Sequence, residues 1–233
     1  WMDSQSTGLG DESHPVNHNN PHVNKLQSEN PAPYASYFKL PDLEIASASP
    51  ELFLDRQGDL IKSTPIKGTS ATEEFGEKDR AENVMIVDLM RNDFGQICKS
   101  GTVEVPRLLS SEEHPGLQHL VSDIQGELLD DISWSQIITA LSPPGSVSGA
   151  PKSSAVQVIS ANEIDRGPYC GALGWVEGNQ AVLSVAIRTF WKDAGINFGT
   201  GAGITWGSDA TAEWEETQLK ARRLISIAGG ELL

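Results

Sequence analysis

The chain has 233 residues, 38% of them hydrophobic, with 22 glycines and 32 acidic against 17 basic side chains, for a formal charge of −15. That length supports one generous domain or two small ones, and that apolar content builds a real core, so wholesale disorder is excluded. So acidic a chain, with no local basic patch in view, argues against gripping a nucleic-acid backbone. An anionic small substrate would need a metal ion or well-placed arginines to offset the field.

Two cysteines, Cys98 and Cys170, with no CxxC spacing, make neither a disulfide scaffold nor a zinc cage. No apolar run reaches the roughly 18 residues of a membrane span, and no signal-peptide pattern opens the chain, so a cytoplasmic protein is expected. Trp1 stands where an initiator methionine would, and the sequence reads as a fragment or trimmed product.

Residues 1–28, rich in Ser, Asn, Gly, Asp and His, read as a flexible tail. His14, His18 and His22 fall at helical spacing, but Pro15, Pro21 and three asparagines oppose that helix, so a solvated tail is preferred over a metal site. Residues 29–233 form the expected domain. Leu43 to Ala48, Glu51 to Asp55 and Asp59 to Ser63 read as strands, the last two joined by the turn Arg56-Gln57-Gly58. A helix is expected over Glu73 to Asn92, with Val84, Val87 and Met90 recurring at three-residue steps. Strands follow over Thr102 to Arg107 and Gln118 to Ile124, then a helix from Ser133 through Leu141 and a loop from Pro143 to Ala150. Pro151 opens another helix, running to Asn162. Gly171 to Val176, Gln180 to Phe190 and Gly195 to Phe198 read as strands, and a last helix spans Ala210 to Ala228 behind an N-cap at Ser208 or Asp209. Strands come in runs rather than alternating with helices, so the class is α+β.

Two motifs mislead. Gly199 to Gly203 imitates a dinucleotide fingerprint, yet no helix opens at the glycines; bare backbone approaching an anionic ligand is the better reading. Gly145 to Lys152 imitates a phosphate loop, but Ala150-Pro151 separates the second glycine from the lysine and removes a donor.

Asp79 and Glu82, and Glu213 and Glu216, form i, i+3 acidic pairs on two helices. Oxygen donors without His or Cys suit a hard ion such as Mg²⁺, whereas a solvated face paired with Lys78 or Lys220 is the plainer alternative. Lys67 lies between a proline and a glycine just after a strand. With its stem held against apolar neighbours its neutral amine would be a nucleophile; otherwise it is a surface loop lysine.

The ordered blocks Ser49-Pro50-Glu51, Pro65-Ile66-Lys67-Gly68-Thr69, Glu77 to Asn83, Ile86 to Asp93, His119 to Ser122, Ser148 to Lys152, Arg166 to Gly171, Ala186 to Thr189 and Gly201 to Gly203 resemble the chorismate-utilising enzymes. That family includes anthranilate, aminodeoxychorismate, isochorismate and salicylate synthases. The resemblance runs over about residues 29–230 and implies a chorismate-binding α/β sandwich of mostly antiparallel sheets flanked by helices, here N-terminally truncated. A lysine in the Pro-Ile-Lys-Gly-Thr block is similar to aminodeoxychorismate synthase component I; anthranilate synthase component I typically carries alanine there.

The resemblance implies Mg-dependent amination of chorismate to 4-amino-4-deoxychorismate, serving p-aminobenzoate and folate synthesis. Lys67 would be the covalent nucleophile, Glu51 the general acid and His119 a polarising or proton-handling group, unless it is a satisfied strand histidine. Gly68, Thr69, Tyr169, Arg188 and the backbone of Gly201, Ala202 and Gly203 would hold the substrate. Glu82, Glu213 and Glu216 would bind Mg²⁺, and ammonia would come from a glutaminase subunit or fused domain. Alternatives are anthranilate synthase component I and an inactive chorismate-binding module left by truncation. Leu52 stands where relatives commonly have arginine, and Ser148 where threonine is frequent.

Overall fold

The computed structural model describes residues 21–70, 74–114 and 117–231. In chain order the elements are α1 (Pro21–Glu29), β1 (Tyr34–Lys39), β2 (Glu44–Ser49), β3 (Leu52–Gln57), β4 (Leu60–Thr64), β5 (Ile66–Ser70), α2 (Glu77–Gly95), β6 (Glu104–His114) and β7 (Leu117–Glu127). There follow α3 (Trp134–Leu141), α4 (Gly145–Ser148), α5 (Lys152–Asn162), β8 (Ala172–Glu177), β9 (Gln180–Val185), β10 (Thr189–Lys192), β11 (Ile196–Phe198) and α6 (Ala210–Ile227). Every strand pairing among the described residues is antiparallel, so the class is α+β as expected. No helix among them is long and apolar enough to cross a membrane.

The described residues fall into two compact units. Unit one takes residues 21–50, 167–169 and 186–231; unit two takes Glu51–Arg166 and Cys170–Val185.

In unit one the sheet runs β1-β2-β10-β11. Its core joins Leu26 of α1, Ala48 of β2, and Leu224 and Ile227 of α6, with Phe190 and Phe198 packed against them. Leu26 corrects the expected tail: at Pro21 the chain becomes a helix with an apolar side chain in the core, while His14 and His18 lie outside the described residues. The N-cap of α6 is Asp209, whose carboxylate accepts the Ala212 amide at 3.0 Å.

In unit two, β7 pairs with three strands. β6 pairs along one edge, and along the other run β4 and then β5, from Leu60 opposite Glu127 to Ser70 opposite Gln118. β4 and β5 are one bent strand interrupted at Pro65, whose carbonyl still accepts the Ser122 amide at 3.3 Å. β3, β9 and β8 extend the sheet beyond β4. α2 packs on β5 and β7, with Ile86, Val87, Met90 and Phe94 of α2 and Leu120 and Ile124 of β7 all buried. Val84, three residues before Val87, is exposed, because three-residue steps drift off a 3.6-residue stripe.

Local sequence explains most boundaries. Ser133 and Gln136 form a reciprocal capping box at α3, with Ser133 N–H donating to the Gln136 side chain at 3.0 Å and Gln136 N–H to Ser133 Oγ at 3.3 Å. The strand expected over Gln180 to Phe190 is two strands, β9 and β10, broken at 186–188 where Arg188 takes φ 52°. The loop expected after Leu141 contains the short helix α4, and β1 and β5 are strands that periodicity did not single out.

Candidate active site

The expected residues divide between the units. Unit two holds Glu51, Lys67, Gly68, Thr69, Glu82 and His119; unit one holds Tyr169, Arg188, Gly201, Ala202, Gly203, Glu213 and Glu216.

In unit two, Lys67 is half-buried within β5 rather than in a surface loop. Two residues on, Thr69 stands opposite His119 of β7, and its hydroxyl meets His119 Nδ1 at 3.1 Å. His119 is 1% exposed, so this hydrogen bond fixes the orientation of the ring. Glu51 immediately precedes β3 and is 3% exposed, while its carbonyl accepts the Val185 amide of β9 at 3.0 Å.

Gly68 has φ 96°, and a Cβ there would lie 3.1 Å from Asp79 Cβ and 3.2 Å from Leu120 Cβ. Only glycine takes that conformation in that space. Between Ile66, opposite Val121, and Thr69, opposite His119, the register slips, so Lys67 and Gly68 together oppose Leu120. The carbonyls of Lys67 and Leu120 both accept from Asn83 Nδ2 of α2, at 3.4 and 3.1 Å. Asn83 and Ser122 occur in the family-like blocks, yet residue type and spacing assigned neither a role.

The end of β4 is fastened by a charged cluster. Asp123 Oδ1 accepts from Thr64 Oγ1 at 2.8 Å, Arg107 donates to both Asp123 oxygens at 3.0 Å, and Lys62 Nζ lies 3.2 Å from Oδ2. Burial alone would raise the Asp123 pKa, but Arg107, Thr64 and Lys62 together outweigh it and hold the carboxyl below its usual range. Lys152, the lysine of the misleading phosphate loop, pairs with buried Asp93 at 2.7 Å and donates to the carbonyls of Ala140 and Leu141 at 3.3 Å, closing the end of α3.

In unit one, the ring of Tyr169 lies against the glycine run. A Cβ on Gly199 would fall 2.7 Å from Tyr169 Cβ, and one on Gly201 would fall 3.2 Å from the Tyr169 hydroxyl oxygen. The missing side chains therefore make room first for a tyrosine of the same unit. Thr200 Oγ1 donates to the Thr217 carbonyl at 3.2 Å and Lys220 Nζ to the Gly201 carbonyl at 3.4 Å, tying the run to α6. No helix opens at these glycines: α6 begins at Ala210. The Arg188 carbonyl accepts the Ala48 amide at 3.1 Å, fixing the backbone at its left-handed turn.

The acidic pairs serve mixed ends. Asp79 Oδ2 accepts the Gly76 amide at 3.0 Å, capping α2, and Glu82 lies 3.7 Å from Lys78. Glu216 pairs with Lys220 at 2.6 Å, and the buried Glu213 accepts the Ser208 hydroxyl at 2.5 Å. Among the described residues no three His, Cys, Asp or Glu side chains are gathered as a metal cage. Glu82, Glu213 and Glu216 offer carboxylate oxygen only, the donor chemistry that magnesium takes.

The profile of the chorismate binding enzyme family matches residues 16–226. The chain belongs to that family. Among curated relatives, it is 38% identical over 221 residues to anthranilate synthase component 1 of Saccharolobus solfataricus, covering 88% of this chain and 52% of that one. It is 37% identical over 212 residues to aminodeoxychorismate synthase component 1 of Bacillus subtilis, covering 84% of this chain and 45% of that one. Among solved structures, anthranilate synthase component I from Streptococcus pneumoniae TIGR4 superposes with a TM-score of 0.79 at 33% identity, over 89% of this chain and 50% of the other. The chain thus spans about half the length of the chorismate-enzyme relatives it matches.

Proposed function

We propose that this chain carries the chorismate-aminating chemistry of an aminodeoxychorismate synthase component I, with Lys67 as covalent nucleophile. The observation that carries the reading is a half-buried lysine on β5, in the same unit as the buried Glu51 and the oriented His119. Identity does not separate the amination products, since an anthranilate synthase and an aminodeoxychorismate synthase match at 38% and 37%. The lysine favours 4-amino-4-deoxychorismate, because the family resemblance associates alanine at this position with anthranilate synthases.

In the proposed sequence the neutral Lys67 amine attacks ring carbon 2 and forms a C–N bond. Both ring double bonds shift toward carbon 4, the bond from carbon 4 to its hydroxyl breaks, and Glu51 supplies the proton with which water leaves. Ammonia then bonds to carbon 4 while the bond to Lys67 breaks, its electron pair returning to the amine. The surplus proton on the new amino group returns to Glu51. Chorismate and ammonia become 4-amino-4-deoxychorismate and water, and one difficult displacement becomes two easier ones. His119, held by Thr69, would polarise the ring substituents. Tyr169, Arg188 and the backbone of residues 201–203 would hold the substrate's carboxylates and ring, Arg188 through its planar fork.

Glu82 on α2 and Glu216 on α6, with Glu213 as a further donor, would each offer magnesium a carboxylate oxygen. That ion supplies positive charge to a substrate carboxylate in a protein that is otherwise strongly acidic. Ammonia would arrive from a glutaminase subunit or fused domain, and the product would feed p-aminobenzoate and folate synthesis in the cytoplasm.

The test is product analysis with chorismate, Mg²⁺ and ammonium. Expected are 4-amino-4-deoxychorismate and a substrate-derived mass on the Lys67 peptide, both abolished in Lys67→Ala. Anthranilate as the product, or full turnover by Lys67→Ala, refutes the reading.

A further inference from the structure

We propose that Asn83 is the positioning residue for Lys67: its buried amide holds open the β-bulge that aims the lysine. The functional consequence rests on Lys67 being the nucleophile; the geometric one does not.

Two residues of β5, Lys67 and Gly68, oppose a single residue of β7, Leu120. A bulge of this kind breaks the strict alternation of a strand, bends it and re-aims the side chain it carries, at the cost of interrupting the ladder. Here the interruption is repaired from outside the sheet. The two N–H groups of the Asn83 amide are shared between the carbonyls on either side of the bulge, 3.4 Å to Lys67 and 3.1 Å to Leu120. A primary amide is the smallest side chain that donates twice from one atom while accepting at the other.

The accepting end is fixed as well. Ser122 Oγ donates to Asn83 Oδ1 at 2.6 Å and itself accepts the Leu109 amide at 3.0 Å. A flipped amide would set its oxygen against two carbonyl oxygens and its nitrogen against the Ser122 hydroxyl, so one orientation is enforced. Asn83 is 1% exposed, and water is not there to replace any of these bonds. One helical turn earlier on α2, Asp79 lies against the bare Cα of Gly68. Asp79 and Asn83, four residues apart on one face of α2, form a rail along which the Lys67–Gly68 backbone lies. An aspartate at position 83 would keep the shape but present oxygens to both carbonyls, and an alanine would remove the donor they share.

The direct experiment needs no turnover. The parent, Asn83→Asp and Ser122→Ala chains are labelled with an amine-acylating reagent under native conditions, and the rate at each lysine is read by mass spectrometry. Released from its bulge, the half-buried Lys67 amine is expected to acylate at least about threefold faster, while Lys62 and Lys152 in the same unit keep the parent rates. A general loosening would accelerate all three and would overturn the proposal, as would an unchanged Lys67 rate in both variants. Ser122→Ala keeps Asn83 in place and guards against an Asn83→Asp chain that fails to fold. In turnover assays a misaimed nucleophile lowers kcat by about tenfold to a hundredfold with KM for chorismate nearly unchanged. Parallel loss of both, or full kcat, counts against it. If Lys67→Ala turns over fully while Lys67 labelling still responds to Asn83→Asp, the nucleophile reading falls and the positioning one stands.

Discussion

Asp123→Ala is expected to destabilise unit two by about 2–3 kcal/mol at neutral pH, and the figure can be built from its contacts. The carboxylate accepts two hydrogen bonds from Arg107 and one from Thr64, and Lys62 lies 3.2 Å away. Removing one partner from a buried ion pair costs about 3–5 kcal/mol. The partners here are not buried: the Arg107 and Lys62 side chains are 34% and 43% exposed, and Arg107 also pairs with Glu112. Their charges regain water, so the Lys62 contribution falls to about 0–1 kcal/mol and the Arg107 share drops well below the buried limit. The Thr64 hydroxyl, 9% exposed, loses its acceptor at a cost of about 1 kcal/mol.

The sign with pH follows from the depressed carboxyl pKa. Its stabilisation is complete above the unfolded value of about 3.9 and disappears as pH falls through the lower folded value. Urea unfolding of parent and variant, followed from pH 7 into the acid range, should show two midpoints that converge below about pH 4. A gap that is absent at pH 7, or that stays constant down to the acid limit, refutes the reasoning.

Gly199→Ala should lower the stability of unit one by about 1–3 kcal/mol through overpacking, because the new methyl meets Tyr169 Cβ at 2.7 Å; thermal unfolding checks it, and an unchanged midpoint contradicts the packing described. Lys152→Met leaves Asp93, already pushed up by burial, without its cation, and should cost about 3 kcal/mol at neutral pH while losing little where Asp93 is protonated. Comparing chemical unfolding at pH 7 and in acid measures this, and equal costs at both would exclude the ion pair as the cause. Cys98, 4% exposed with its thiol pushed up to about 11 by burial, should react with a thiol reagent at pH 7 only after unfolding. Rapid native labelling localised to Cys98 by peptide mapping would show that it is open to solvent.

Much of this architecture is legible along the chain because its causes are local. A serine three residues before a glutamine announces the α3 capping box, and an aspartate before Ala210 announces the start of α6. The β3–β4 hairpin is marked by Gly58, whose φ of 66° other residues seldom take. The errors occur where distant contacts decide. Residues 21–28 look like tail until Leu26 meets Leu224 and Ile227, and Gln180 to Phe190 looks like one strand until Arg188 turns the backbone between β9 and β10.

The candidate site shows the same division. Residue type and order alone determined the family, the lysine in the Pro-Ile-Lys-Gly-Thr block, and acids spaced to share a helical face. Whether a lysine at position 67 sits in a loop or a strand, whether Lys152 meets a phosphate or Asp93, and which amide bridges the carbonyls at a bulge were decided only in three dimensions. Periodicity records which side of an element is apolar. It carries nothing of the partner that a single polar group finds 16 or 37 residues away, which is where Asn83 reaches Lys67 and Leu120.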